Sequence, residues 1–294
     1  MNRQKKEALT GYLFASPWLL GILIFLAYPL VSSLYFSLCD YSVLKKPMYI
    51  GAENYQQLLQ DDVFWQSAKN TLFFAVLSVP FSLLLALALA MLLNNKVRGL
   101  PIYRTIFFLP SLVPQVPLAI LFMWLLNDKH GIINNGLTAL GMAHPPEWLG
   151  KPEWTKYSLI IMGLWGVGNT MLIFLASLQE VPVSLVEAAD LDGAGAWSKV
   201  RNITLPMISP VILFNLIMGM IGALQVFAVP YVMFAGGGPD RSAYMYSAYL
   251  FDNAFRYNKM GYASAMGWIM FLVILVLTLI VYRAGEKKVY YEGG

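Results

Sequence analysis

The sequence carries little charge for its length. Its 294 residues include 20 Lys and Arg and 16 Asp and Glu, so charged residues make up 12% of the chain. Soluble globular domains carry about 25%. Hydrophobic residues, by contrast, reach 58%. This composition excludes an ordinary soluble domain and predicts an integral membrane protein.

Cysteine and histidine are almost absent. A single cysteine, Cys39, excludes an intrachain disulfide, and we interpret it as a small buried apolar residue. His130 and His144 stand apart in loops, and the chain has no H-E-x-x-H, no G-x-S-x-G and no cysteine–histidine cluster. We therefore expect no catalytic residues, no metal site and no cofactor, and we predict that the chain is not an enzyme.

A nucleotide-binding loop is also missing. The pattern G-x-x-x-x-G-K-[ST] does not occur, and the glycine cluster Gly236-Gly237-Gly238-Pro239 has no Lys-Ser/Thr after it. If this protein transports a solute actively, we expect ATP to be bound and hydrolysed by another polypeptide.

Six uncharged runs are long enough to cross a hydrocarbon layer of about 30 Å as helices. The first is too long for the apolar core of a signal peptide and has no small-x-small cleavage site after it, so we interpret it as an uncleaved anchor. An even number of crossings places both termini on one side. The runs are residues 13–38, 70–93, 105–126, 157–178, 206–234 and 262–282.

The distribution of basic residues predicts the orientation. Eleven of the 20 Lys and Arg fall on the side of the termini, which is also the side with the shorter connections. An excess of Lys and Arg marks the cytoplasmic side, so we expect both termini in the cytoplasm. The net charge of +4 is then explained by the basic residues that set the orientation in the membrane, and nucleic-acid binding is not expected.

No charged residue lies inside the six runs. Carriers coupled to protons or ions usually place Asp, Glu, His or Arg within the membrane as relays or counter-ions. This chain offers none, which again indicates an external energy source.

The cytoplasmic connection 179–205, hereafter called the EAA loop after its residues Glu187-Ala188-Ala189, is rich in carboxylates. Ser184 and Glu187 have capping-box spacing, which predicts a short helix that starts at Leu185. Ala188 and Ala189 share a face with Leu185. Gly193 is placed to end the helix with a positive φ.

A second short helix is expected to follow, with Trp197 and Val200 on its inner face and Pro206 opening the next crossing. One alternative is a helix that merely lies on the membrane surface. Such a helix favours Lys and Arg on its polar side, whereas this loop carries acids.

These residues carry a resemblance. The loop resembles the EAA loop of the membrane subunits of bacterial ABC importers. The matching residues are Glu187-Ala188-Ala189, Gly193 and Ile203-Thr204-Leu205-Pro206. Over most of its length the chain is similar to carbohydrate-uptake permeases of the maltose, glycerol-3-phosphate and lactose type. The other matching segments are 12–29, 51–55, Phe64-Trp65, Asn70-Thr71, 103–110, Trp124, 131–134, 236–239 and 261–263.

The resemblance implies an all-α membrane protein with the type I ABC importer permease fold, in which residues 1–294 form a single transmembrane domain of six helices. It implies a multi-pass protein of the bacterial cytoplasmic (inner) membrane, surrounded by lipid. The implied partners are a second homologous permease, a dimer of ATP-binding subunits, an extracytoplasmic solute-binding protein and a carbohydrate substrate.

The resemblance also assigns roles in the EAA loop. Glu187 and Asp190 are the expected polar contacts to the ATPase, Ala188 and Ala189 the close-packed face, and Gly193 the turn. An alternative for Glu187 is that it only caps its own helix.

Uncharged polar and aromatic residues of three runs are candidates for the solute path. Aromatic rings can stack on sugar faces, and amides can hydrogen bond to hydroxyl groups. The same residues also serve to pack membrane helices together, so plain packing stays open for each. A non-sugar solute, such as a polyol or a glycerophosphodiester, and a passive membrane scaffold are the alternative functions. The candidates are Ser111, Gln115, Trp165, Gly166, Asn169, Leu224, Gln225 and Phe227.

Overall fold

The computed structural model describes residues 3–95, 98–286 and 289. These residues pack as two compact units, one drawn from residues 1–61 and 250–272 and the other from residues 62–249 and 273–294. Most of the described chain is helical, and the rest is loops and turns with one pair of very short strands.

Within the described residues, four helices are long and apolar enough to cross a membrane, and two bent pairs bring the number to as many as six. The long helices are Thr10–Ser37, Asp62–Leu93, Ser209–Met233 and Met260–Glu286. The bent pairs are Leu100–Leu112 with Gln115–Leu125, at 99°, and Pro152–Trp165 with Gly168–Glu180, at 48°. We number these the first to the sixth crossing in chain order.

The first crossing contains a π turn. Helix Arg3–Ile22 leads into the π turn Leu23–Ala27, and helix Tyr28–Ser37 follows. The Tyr28 N–H donates to the Leu23 carbonyl oxygen. Pro29, the next residue, has no N–H to continue the regular ladder, and a wider turn at this point accommodates that loss.

A small outer segment follows the first crossing within the same unit. The strands Cys39–Asp40 and Met48–Tyr49 pair antiparallel, which is the one departure from all-α structure in the described chain. Helix Glu53–Leu59 packs beside them, and the buried Asn54 amide donates to the carbonyl oxygens of Ser37 and Cys39, at 2.9 Å each. Cys39 is fully buried, as the sequence predicts.

The second crossing, Asp62–Leu93, is the central helix of the other unit. It packs against Pro152–Trp165, Gly168–Glu180 and Ser209–Leu224. It begins well before the predicted start at Asn70, because its polar first turns pack inside the protein. Asn70 is buried and bonds to the carbonyl oxygens of the 241–244 segment.

Three crossings are interrupted. In the third, Val113 is extended with ψ of 125°, since a residue before proline avoids the helical region, and Pro114 itself is extended with ψ of 146°. The fourth breaks at 166–167, beside Gly166 and Gly168, which are weak helix formers. The fifth stops at Leu224 and resumes as Ala228–Met233.

The remaining elements are short. They are the helices Ile132–Ala139, Val183–Leu191, Ala196–Lys199, Leu205–Met207 and Tyr246–Phe251, the 3₁₀ turns Ala235–Gly237 and Pro239–Arg241, and the π turns Val200–Thr204 and Asp252–Arg256.

Candidate functional site: the EAA loop and a cavity at the helix breaks

The first helix of the EAA loop begins earlier than predicted. It runs Val183–Leu191, after the extended Pro182, and has no side-chain cap hydrogen bond. Ser184 therefore lies inside the helix, and the predicted capping box with a start at Leu185 is wrong. The extended ψ of Pro182, 125°, sets the start instead. The alternative that Glu187 only caps its own helix finds no support in this geometry, and its side chain is exposed.

The turn at Gly193 is as predicted, with φ of +74°. The Ala194 N–H donates to the Ala189 carbonyl oxygen at 2.9 Å, and the Gly193 N–H donates to that of Asp190 at 3.1 Å. These two bonds form the Schellman motif, which satisfies the last carbonyls of the helix and requires a left-handed residue at this position.

An ion pair joins the two helices of the EAA loop. The Lys199 ammonium lies 2.5 Å from Asp190 Oδ1, across the Gly193 turn. The Asp190 side chain is 55% exposed. Sequence reasoning assigns Asp190 only to a partner contact and misses this bond, which joins residues nine positions apart on opposite sides of a sharp turn.

The EAA loop exposes several large apolar side chains. Leu191 is 91% exposed and Trp197 is 73% exposed, and Val183 and Leu185 are exposed as well. The prediction that Trp197 lies on the inner face of its helix is therefore wrong. Exposed apolar side chains therefore lie on both helices of the loop, and they form a surface that a partner could cover.

The base of the EAA loop is anchored in the core. Leu178 and Ile208, at the ends of the flanking crossings, are buried, and Val181 and Leu205 pack against the same cluster. Any displacement of the loop must therefore move the fourth and fifth crossings with it, since a packed core resists deformation.

A cavity of about 270 Å³ lies where the three broken crossings meet, and we call it the break cavity. It brings together residues beside the interruptions at 113–114, 166–167 and 225–227. Backbone without regular hydrogen bonds is tolerated at membrane depth only where protein or a water-filled space surrounds it. The lining residues are Phe74, Pro110, Ser111, Val113, Gln115, Leu118, Leu159, Met162, Gly163, Gly166, Val226 and Val229.

The eight predicted path residues divide into two groups. Ser111, Gln115 and Gly166 line the break cavity. The other five lie elsewhere. Trp165 packs edge-on to Phe122, with ring centroids 5.8 Å apart, and the Phe227 ring lies 5.0 Å from that of Tyr231. Leu224 is buried in the apolar core. Asn169 and Gln225 are exposed.

Sequence reasoning misses the apolar part of the lining. Phe74 lies in the middle of the unbroken second crossing, and Met162 and Val226 lie next to breaks. Apolar residues in apolar helices carry no sequence feature that marks them as lining a cavity. Only the adjacent glycine, Gly166, points to the fourth crossing.

The break cavity is uncharged. Every lining residue is neutral, and the Ser111 hydroxyl donates to the Phe108 carbonyl oxygen at 2.7 Å. Across the described part of the chain, no group of three or more metal-ligating side chains occurs. The lining therefore offers one hydroxyl, one amide and apolar walls to whatever the cavity holds.

A multi-helix membrane protein with interrupted crossings around a polar cavity, and an anchored loop outside, is typical of a solute permease. Residues 78–290 match the family of binding-protein-dependent transport system inner membrane components. The match covers most of the chain, which therefore belongs to this family. It is a multi-pass inner-membrane subunit of an ABC importer, with the type I permease fold, and it is not itself an enzyme.

Similar proteins agree with this assignment. The chain is 39% identical to the probable ABC transporter permease protein YesP of Bacillus subtilis, over 98% of this chain and 94% of that protein. It is 37% identical to the lactose transport system permease protein LacF of Rhizobium radiobacter, over 95% of each. A solved structure of a bacterial alginate ABC transporter, in complex with an alginate pentasaccharide-bound periplasmic protein, contains a chain that is 25% identical, with a TM-score of 0.86 over 97% of this chain and 96% of that one.

Proposed function

We propose that this chain forms half of the path by which an ATP-driven, binding-protein-dependent importer carries a sugar or oligosaccharide across the cytoplasmic membrane. The break cavity is the observation that carries the proposal. It combines a hydroxyl, an amide and interrupted backbone with apolar walls and no charge, a chemistry that suits a neutral polyhydroxyl solute. Lactose, for which one similar permease is named, supports a neutral saccharide, and alginate, which is acidic, supports a saccharide only in the broader sense.

The partners in this proposal are a second homologous permease, a dimer of ATP-binding subunits and an extracytoplasmic solute-binding protein. ATP is bound and hydrolysed by the partner subunits, and this chain needs no cofactor of its own. The periplasmic protein in the complex of the alginate transporter supports the binding-protein part of this assembly.

The EAA loop couples this chain to the ATPase. Ala188 and Ala189 form its close-packed face, Glu187 is its polar contact, and Gly193 keeps the two helices at a fixed angle. Asp190 holds Lys199 within the loop in addition to its proposed contact with the ATPase. The buried anchors Leu178 and Ile208 then pass the displacement of the loop to the fourth and fifth crossings, whose breaks border the cavity.

The remaining path residues act at other stages of transport in this proposal. Asn169 and Gln225 have exposed amides and border the second half of the path, which the partner permease supplies. Trp165, Phe227 and Leu224 shape the wall, and the partly exposed Trp165 ring is available for stacking on a sugar. The basic residues beside the termini support a cytoplasmic location for both ends.

The proposal is tested by reconstituting the complete importer in liposomes after mass spectrometry has identified the ligand on the cognate binding protein. We expect ATP-dependent uptake of a saccharide, which is abolished when the binding protein is left out. Specific uptake of an ion or an amino acid in place of a saccharide would refute the substrate class. Failure of any ATPase subunit to co-purify with the tagged chain would favour a passive scaffold.

A further inference from the structure

A second space adjoins the break cavity. It is a groove of about 430 Å³ between the second, fourth and fifth crossings, and it shares Phe74, Gly163 and Val226 with the break cavity. We call it the polar groove, because four polar side chains line it within otherwise apolar helices. These are Ser78, Ser82, Thr170 and Asn215.

The polar atoms in this groove have no partners within the described chain. Ser78 is only 7% exposed, yet its hydroxyl makes no hydrogen bond there, and the same holds for the hydroxyls of Ser82 and Thr170. Asn215 is 6% exposed and uses its amide N–H on the Val211 carbonyl oxygen at 2.8 Å, while its own side-chain oxygen accepts none. Serine and threonine in a helix ordinarily bond to a carbonyl three or four residues earlier, as Ser67 and Thr71 do in the same helix.

Such atoms cannot remain without partners at membrane depth. An unsatisfied polar group costs free energy in hydrocarbon, so the groove must hold water, a polar solute or polar groups of another chain. The side-chain oxygen of Asn215 is an acceptor only, whereas the three hydroxyls can both donate and accept. Together they match the hydrogen-bonding pattern of a sugar hydroxyl or of water.

The polar groove also has a direction. In the second crossing, Ser78 and Ser82 lie between Phe74 of the break cavity and the helix end at Leu93. In the fourth crossing, Thr170 lies between Gly163 and the helix end at Glu180. Asn215 lies nearer than Val226 to the start of the fifth crossing at Ser209. All three helices therefore lead from the break cavity toward the end of the unit that bears the EAA loop.

We infer that the polar groove is an aqueous exit for the solute, leading from the break cavity to the EAA-loop side, and that Ser78, Ser82, Thr170 and Asn215 hydrogen bond to passing saccharide hydroxyls. This inference rests on the proposed function and adds to it a second set of residues and a route. The four side chains are weakly polar and spaced along the groove, so each contact is easily exchanged for the next one.

Thiol labelling of the assembled importer in inside-out vesicles tests the route. Cys39 is buried and is the single cysteine of the sequence, so Cys39→Ser supplies the background. Ser82→Cys and Thr170→Cys are then treated with a membrane-impermeant sulfonated methanethiosulfonate. We expect both to react at least about tenfold faster than Leu84→Cys, because only a hydrated thiol ionises to the reactive thiolate. Leu84 is on the same helix as Ser82 but is 64% exposed on another face of the chain.

Uptake assays complete the test. Ser78→Ala and Asn215→Leu should lower saccharide uptake at least about threefold, since the solute loses hydrogen bonds along its route, while the complex still assembles. Unreactive thiols at both positions in an importer that still transports would overturn the inference. Loss of the second permease from the purified Asn215→Leu complex, together with unreactive thiols, would show a packing seam between chains instead. Reactive thiols in a complex that transports no saccharide would refute the proposed function and leave an aqueous groove.

Discussion

The EAA loop and the break cavity are built in different ways. The loop keeps its shape through bonds between residues close in sequence, namely Ala189 with Ala194 and Asp190 with Lys199. The cavity depends on residues from Phe74 to Val229, which come from four separate crossings. A rigid-body motion of the crossings would therefore leave the loop unchanged and alter the cavity. In the proposed function, the EAA loop receives the motion as a rigid element, and the break cavity changes shape to admit or release the solute.

The largest effect is expected at Gly168, where the third and fourth crossings touch. A Cβ atom at this position would lie 2.7 Å from the Phe107 carbonyl oxygen and 2.9 Å from the Phe108 Cα. Both neighbours are backbone, which cannot rotate away. Gly168→Leu should therefore cost about 3 kcal/mol or more through overpacking. We expect little folded protein in size-exclusion chromatography and no uptake.

Gly163→Ala is the matched control, because nothing lies within 4 Å of a Cβ atom there. This variant should fold with an unchanged melting temperature. Normal folding of Gly168→Leu would show that the cavity side of the molecule is as adaptable as an exposed loop, and the contrast between the two regions would disappear.

An intermediate effect is expected at Gly193, and it should appear in coupling. The space around Gly193 is open, so the cost of Gly193→Val comes from its φ of +74° alone, about 1–2 kcal/mol. The turn should relax and change the angle between the two short helices of the EAA loop. We expect uptake to fall in proteoliposomes while ATP hydrolysis continues.

Two controls separate strain from bulk at this turn. Gly193→Asn should retain most uptake, because asparagine tolerates the left-handed region. Gly195→Ala should be neutral, since Gly195 has φ of −68° and open space around it. Full uptake by Gly193→Val would contradict the coupling role of the turn.

The smallest effect is expected at the ion pair between Asp190 and Lys199. An exposed pair contributes about 0.2–1 kcal/mol, and salt weakens it. Asp190→Asn, Lys199→Gln and the double variant form a mutant cycle, read as thermal stability of the purified complex. If the pair acts only within the loop, each single variant should cost as much as the double. If Asp190 also contacts the ATPase, Asp190→Asn should lower uptake more than Lys199→Gln does.

The predictable parts of the EAA loop are those fixed by backbone conformation. Gly193 is predictable because a helix end that requires a left-handed residue favours glycine. Ser184 misleads the prediction, because a serine after a proline satisfies the capping pattern equally well when it lies inside the helix. Trp197 misleads it as well, since periodicity assigns apolar side chains to the interior and does not identify a face that awaits a partner.

The break cavity is predictable only near its prolines and glycines. Pro110, Pro114 and Pro117 indicate an interruption in the third crossing, and the structure places one there. No proline marks the break at 166–167. Gln225 is a candidate by residue type and Leu224 by its place beside it, although Gln225 is exposed and Leu224 lies in the core. The three breaks meet only because the third, fourth and fifth crossings pack together, and the sequence of one helix alone does not predict that packing.

The 99° bend has a consequence for how this protein is made. Helix Gln115–Leu125 has 11 residues and a length of about 16 Å, about half of the hydrocarbon thickness. It packs against Ala228–Met233, which the ribosome produces about a hundred residues later. The packing contact that holds this half of the third crossing against the fifth can therefore form only after the fifth has been synthesised, so the short helix must be accommodated without it until then.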